Sequence, residues 1–250
     1  MKAGRVVLVI AGILVFLVVL IAYLPASWVA SRLPPGLAIK CGEVNGSVWQ
    51  GECVGLAFNG AKLGDATWNM DRIGALSRRF IGDVDLRGAK INARADLDIA
   101  FTGSGEMHNV VSTLPLEPAY FPQLPADQRG VLSLDLKRAT FENAQPRTLE
   151  GGIELRDLRQ VGARPLELGS YRVDFDGKPQ SEGKTVGQLR DIGGPFAVEG
   201  TVTLVPPNGY LVQGLITGRT VEAERIVRDI TLGAAPDTHG RAPFSFEGTY

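Results

Sequence analysis

Asp83 to Phe101 reads DVDLRGAKINARADLDIAF, and its period decides the fold class. Val84, Leu86, Ile91, Ala93, Ala95, Leu97, Ile99 and Phe101 alternate with Asp85, Arg87, Lys90, Asn92, Arg94, Asp96 and Asp98. Successive side chains of a strand point to opposite faces, so one face here is apolar and the other charged, as in a half-buried antiparallel strand. Gly88 marks a turn or bulge where the parity changes. The same rule extends outward. Ser47 to Phe58, Val131 to Phe141 and Leu149 to Leu158 alternate in the same way. Phe196 to Leu204 and Tyr210 to Thr217 flank Val205-Pro206-Pro207-Asn208-Gly209, where Asn-Gly tolerates the positive φ of a hairpin turn. Ala242 to Thr249 predicts a last strand with Phe244 and Phe246 on one face.

The chain of 250 residues contains 31 Gly and 15 Pro, dense punctuation that suits short strands and leaves little room for long helices. Two short helices are expected. Val221 to Leu232 puts Ile226, Val227 and Ile230 on one stripe and ends at Gly233, and Met70 to Phe80 can hold a second. Thr113 to Pro125, with four prolines, predicts a loop. Leu63 to Asp71 echoes Leu168 to Asp176 in the form L-G-x-x-x-apolar-x-apolar-D. This is either a duplicated meander or, as the alternation favours, two strands obeying one rule; two copies are thin support for a repeat.

Val6 to Leu24 carries nineteen residues without a charge. At ~1.5 Å per residue the run covers ~28 Å, near the ~30 Å hydrocarbon core of a bilayer. A cleaved signal peptide has a shorter apolar region and a small-x-small end, whereas Ala22-Tyr23-Leu24-Pro25 is bulky. A buried helix of a soluble protein would show a polar side, and none exists. An uncleaved anchor is therefore expected. Lys2 and Arg5 precede it, which predicts a cytoplasmic N-terminus and an exported C-terminal domain. Tyr23 and Trp28 fall where interfacial aromatics belong. The expected organisation is a cytoplasmic stub (1–5), a transmembrane helix (6–24), a juxtamembrane linker (25–35) ending at Pro34-Pro35, and a β-rich domain (36–250). Cys41 and Cys53 are expected to bridge across a hairpin in an oxidising compartment, the alternative being two buried free thiols.

No catalytic or cofactor signature emerges. His108 and His239 stand in separate contexts, and no zinc spacing, nucleophile elbow or P-loop occurs. Asp83, Asp85, Asp96 and Asp98 could be imagined as paired carboxylates, but acids alternating with Leu and Ile are far more often a strand's solvated face. A net charge of −1 argues against nucleic acid as a partner. The chain is not expected to be an enzyme or to carry a cofactor or metal. A tethered sheet with one apolar face could hold lipid acyl chains if that face were open; the alternative is a face covered as an ordinary core.

Leu24-Pro25-Ala26-Ser27-Trp28, Val44-Asn45-Gly46-Ser47-Val48-Trp49-Gln50-Gly51 and Leu63-Gly64-x-x-x-Trp68 occur in order, and the chain closes on Leu232-Gly233-x-x-Pro236-Asp237-x-x-Gly240-Arg241-x-Pro243-Phe244-Ser245-Phe246-Glu247-Gly248. Taken together these resemble the bacterial type II secretion system protein N family, from about Leu24 to Tyr250. The resemblance implies an accessory inner-membrane component of the general secretory pathway. Its partners would be other secretion subunits and, through the anchor, membrane lipid, in a machine that exports folded periplasmic proteins. No catalytic residue transfers. Between Gly88 and Leu168 no family motif is recognised, and the cysteine pair is not part of the resemblance.

Overall fold

The computed structural model describes residues 16, 19–20, 23–32, 39–121, 124–143, 145–162, 165–178, 183–231 and 234–249. Among them fourteen strands form one antiparallel sheet in which almost every strand pairs with its sequence neighbour. In order they are β1 (Ile39–Lys40), β2 (Glu43–Gly46), β3 (Gln50–Phe58), β4 (Ala61–Met70), β5 (Arg79–Arg87), β6 (Asn92–Ala100) and β7 (Ser104–Leu116). The series continues with β8 (Gln128–Glu142), β9 (Gln145–Gln160), β10 (Leu166–Asp176), β11 (Thr185–Gly193), β12 (Phe196–Val205), β13 (Gly209–Gly218) and β14 (Ala242–Thr249). The sheet is accompanied by the helices α1 (Ala26–Ala30) and α2 (Val221–Ile230) and by a 3₁₀ turn at Gly74–Ser77.

The exception to the meander is the first edge. β1 and β2 both lie along β3 in one register (Ile39↔Phe58, Lys40↔Ala57, Glu43↔Val54, Val44↔Cys53), so they are a single edge strand broken at Cys41-Gly42. The break is stapled, because Cys41 is bridged to Cys53 with Cα atoms 5.7 Å apart. At the opposite edge β14 pairs with β13, and Pro243 in this strand supplies no N–H for a further neighbour. The sheet is open.

Pairing carries the alternation of each strand across to the next. Leu97 faces Gly82 and Met107, Leu134 faces Ser112 and Ile153, Val173 faces Ile153 and Leu189, and Val202 faces Gly187 and Val212. One face is therefore apolar from β4 to β14, and the opposite face holds the acids and arginines. Near the middle, Leu136, Ala139, Leu149 and Phe175 are buried together, with Met107, Val110, Ile153 and Leu204 against them. At the C-terminal end Phe196, Val198, Ile216 and Ala242 are buried beneath Ala223 and Val227 of α2.

Helix α2 starts where its sequence says it should. Thr220 is extended (φ −130°) and its Oγ1 accepts the Ala223 N–H at 3.1 Å, satisfying an orphan donor. Glu222 and Glu224 in the first turn and Arg228 in the last complement the helix dipole. Ala223 is 1% exposed, so only a methyl group fits between helix and sheet there.

Three expectations are corrected. Thr113 to Leu116 is not loop but the end of β7, with Pro115 opposite Val131. β6 starts at Asn92, paired with Thr113, so beyond that point β7 has a neighbour on one side, and a proline whose N–H is missing costs no ladder bond on the other. Within Met70 to Phe80 the helical content is one 3₁₀ turn, because Met70 completes β4 and Arg79 opens β5. Ser47 to Trp49 is a turn, and β3 starts at Gln50. The Val6–Leu24 span lies largely outside the described residues. Of it, Phe16, Val19 and Leu20 are helical, and among the described residues no helix is long and apolar enough to cross a membrane.

Candidate interaction surface

The polar face is organised by cross-strand ion pairs. Arg138 on β8 reaches Glu106 on β7 with two bonds of 3.0 and 2.7 Å, and Arg79 on β5 meets Asp98 on β6 at 2.6 Å. In the centre Glu154 on β9 takes both Arg156 and Arg172, while Arg172 also contacts Asp174 on its own strand, which in turn is reached from β11 by Arg190. The guanidinium groups of Arg172 and Arg156 hold the Glu154 carboxyl below the usual carboxylate range, and Arg138 does the same for Glu106. Exposed pairs of this kind add little stability one by one. Their effect is to fix a patterned, ordered surface of alternating charge over β5 to β11.

Of the four acids that could be imagined as paired carboxylates, Asp83 and Asp96 stand opposite each other across β5 and β6. Asp85 is paired with Arg87, Asp98 with Arg79, and the Asp96 carboxylate accepts from Asn109 at 2.7 Å. Among the described residues no group of three or more His, Cys, Asp or Glu could hold a metal. His108 lies 3.3 Å from Glu106 on the same face, and His239 lies in a turn before β14.

The apolar face is unevenly covered. α2 packs on β13 and β14. Over β4 to β10 the described residues supply neither a second sheet nor a helix, and most apolar side chains there are half-buried against one another.

The N-terminal joint is built by the Val44–Gly51 stretch. The Trp68 indole N–H donates to the carbonyls of Ser47 and Val48, both at 3.1 Å, and Trp49 is buried. Gly51 leaves room for the Trp68 ring, because a Cβ there would lie 2.6 Å from it. The Val48 N–H donates to the Leu24 carbonyl at 3.0 Å and Pro25 bridges to Ser47, so the chain entering α1 is fastened to the β2–β3 turn. Tyr23 and Trp28, expected at a membrane interface, stand exposed beside this joint; Arg32 lies over the Trp28 ring at 4.6 Å and Arg72 over the Tyr23 ring at 5.9 Å.

The repeated L-G element has a physical reason. Gly64 (φ +132°) and Gly169 (φ +101°) occupy matching places at the starts of β4 and β10, each pressed against the backbone where the following hairpin partner ends, at Arg87-Gly88 and Gly193-Gly194. Only glycine combines that φ with so close an approach. Before β14, the Asp237 carboxylate accepts the backbone N–H groups of Arg241 and His239 and the Arg241 guanidinium, which holds its pKa down at about 2. Sequence reading missed this turn, the ion-pair lattice and the tryptophan joint; the first was legible as Asp237-x-x-Gly240-Arg241, the others needed the register.

The profile of the family described as "Type II secretion system (T2SS), protein N" matches residues 38–245, from the broken edge strand to the last. The chain belongs to that family. It is therefore a type II secretion component. A curated relative, the type II secretion system protein N of Vibrio cholerae serotype O1, is 24% identical over 236 residues, covering 91% of this chain and 92% of its own length. No solved structure matches the chain. The tryptophan joint, Gly64, the Asp237 turn and the Phe244-Phe246 pair all fall on the motifs that carried the sequence resemblance.

Proposed function

We propose that the chain is an accessory inner-membrane component of the secretion apparatus, acting through protein–protein contacts and not through catalysis. In this reading residues 1–5 are cytoplasmic, Val6–Leu24 spans the membrane, 25–35 link it to the sheet, and 36–250 stand in the periplasm. Other secretion subunits bind the ordered charged face while lipid surrounds the anchor. The observation that carries the reading is the family match over residues 38–245, joined to a sheet whose polar face is held in register by ion pairs. Tethering supports it further, because a single span raises the effective concentration of the domain for partners on the same membrane. A bridged cysteine pair suits an oxidising compartment. The test is a reporter fused after Tyr250 together with crosslinking and purification of the solubilised complex. A phosphatase active outside the cytosol, and secretion subunits captured by the wild type but lost when Arg138 and Arg172 are reversed to Glu, are expected. A fusion active only in the cytosol removes the topology, and unchanged capture removes the charged face as the contact.

A second reading follows from the uncovered part of the apolar face. From β4 to β10 the path between strands is ~29 Å at ~4.8 Å per step. That would accommodate an acyl chain drawn from a ~30 Å hydrocarbon core. Lipid found by mass spectrometry in gently purified protein would favour a lipid-binding role; an empty face after the same treatment would dispose of it.

A further inference from the structure

The end of the sheet next to the N-terminal joint brings exposed apolar tips and arginines together. There the loop 71–78 joins β4 to β5 and the turn 101–103 joins β6 to β7, and the two are tied together: the Phe101 N–H donates to the Arg78 carbonyl at 2.9 Å, and the Phe80 and Phe101 rings lie 4.8 Å apart. Ile73 is 72% exposed and Phe101 55%, though each is a large apolar side chain on a short, well-bonded turn. Arg72 and Arg78 are also exposed. The arginines of the polar face, such as Arg79, Arg138 and Arg172, are paired with carboxylates. Arg72 and Arg78 join no ion pair among the described residues, and the one carboxylate of this loop, Asp71, accepts the Ile73 N–H at 2.9 Å.

The patch is continuous with the segment entering the joint. Arg72 lies over Tyr23, and Phe16, Val19, Leu20, Tyr23, Leu24 and Trp28 form one apolar surface beside it. Exposed apolar tips set among unpaired arginines, adjoining interfacial aromatics, are the features that bind a bilayer surface with anionic headgroups. The apolar tips enter the headgroup layer, and the guanidinium groups take phosphates. We infer that this end of the sheet is a second membrane contact: the 71–78 loop and the 101–103 turn rest on an anionic bilayer surface, fixing the orientation of the tethered sheet. The inference rests on the anchored topology proposed above.

The test uses the full chain in vesicles of phosphatidylcholine alone or mixed with phosphatidylglycerol. With Cys41 and Cys53 bridged, Ile73→Cys and, at the far end of the sheet, Ala126→Cys each offer one thiol for an environment-sensitive fluorophore. The label at 73 is expected to shift to the blue and to be quenched by brominated lipid, more so with phosphatidylglycerol, while the label at 126 reports water in both. Arg72→Gln and Arg78→Gln, made in the Ile73→Cys chain, each weaken docking roughly fivefold. Two results overturn the inference while leaving the anchor in place: a protein that resists alkaline extraction yet shows water at 73, and a shift at 73 that vanishes when vesicles hold one copy each, which would make the partner a second chain. A protein released by alkaline extraction removes the anchor reading, and this inference with it.

Discussion

Replacing Phe196 with alanine measures how far α2 acts as the second layer of the fold. Phe196 is 4% exposed and packs with Val198, Ile216, Ala223, Val227 and Ala242 between sheet and helix. Phe246 lies on the same sheet face two strands away, beyond the helix, and is 51% exposed. Truncating a buried phenylalanine costs ~3–5 kcal/mol, the transfer term plus the cavity it leaves. Truncating a half-exposed one forfeits about half its burial, ~1 kcal/mol. With a urea slope of ~3 kcal/mol/M, the midpoint falls by ~1–1.7 M for Phe196→Ala and by ~0.3 M for Phe246→Ala. Equilibrium urea unfolding of the full chain in detergent, followed by tryptophan fluorescence and far-ultraviolet circular dichroism together, reads both values and tests whether the transition is a single one. Equal shifts for the two variants, or an unmoved midpoint for Phe196→Ala, would show that α2 does not cover the sheet as described.

Replacing both Cys41 and Cys53 with serine opens a loop with a sequence separation of 12 and is expected to cost ~3 kcal/mol in the chain-entropy account, seen as a lower midpoint that matches the wild type under reductant. Gly64→Val forces a β-branched side chain into positive φ against the Arg87 carbonyl, so it should destabilise severely, whereas Gly60→Ala, with open space around it, should cost only ~1 kcal/mol; thermal melts of the two variants decide. Asp237 has a depressed pKa, so its contribution is present above the unfolded carboxylate value and is lost as pH falls toward about 2. Asp237→Asn should therefore flatten part of the stability loss between roughly pH 4 and pH 2, and an unchanged acid profile would contradict the turn geometry.

Much of the sheet was legible because alternation is local. Ala242 to Thr249 was read with its observed bounds, the helix at Val221 was found from its apolar stripe, and the hairpin at Val205 to Gly209 is present although neither Asn208 nor Gly209 takes the positive φ expected of it. What failed was neighbour-dependent. Pro115 looks like a strand breaker until β6 is seen to start level with Thr113, and Met70 to Phe80 looks helical until both its ends are claimed by strands. The surface was less legible still. Asp83, Asp85, Asp96 and Asp98 were recognisable as a solvated face, but which partner each acid of the sheet would meet depends on register, and register shifts occur at β6–β7, β8–β9 and β9–β10. The exposed character of Ile73 and Phe101 left no trace in sequence, since apolar residues at loop tips read the same whether covered or bare.

A meander in which each strand bonds to the one made just before it has a consequence for how the chain is assembled. The sheet can grow in the order of synthesis: each new strand finds its template already laid down, and few contacts wait for distant residues. The stapled first edge gives that growth a fixed starting rail. The stretch from β12 through α2 to β14 brings the helix that covers its own end, so that core closes only once β14 has joined.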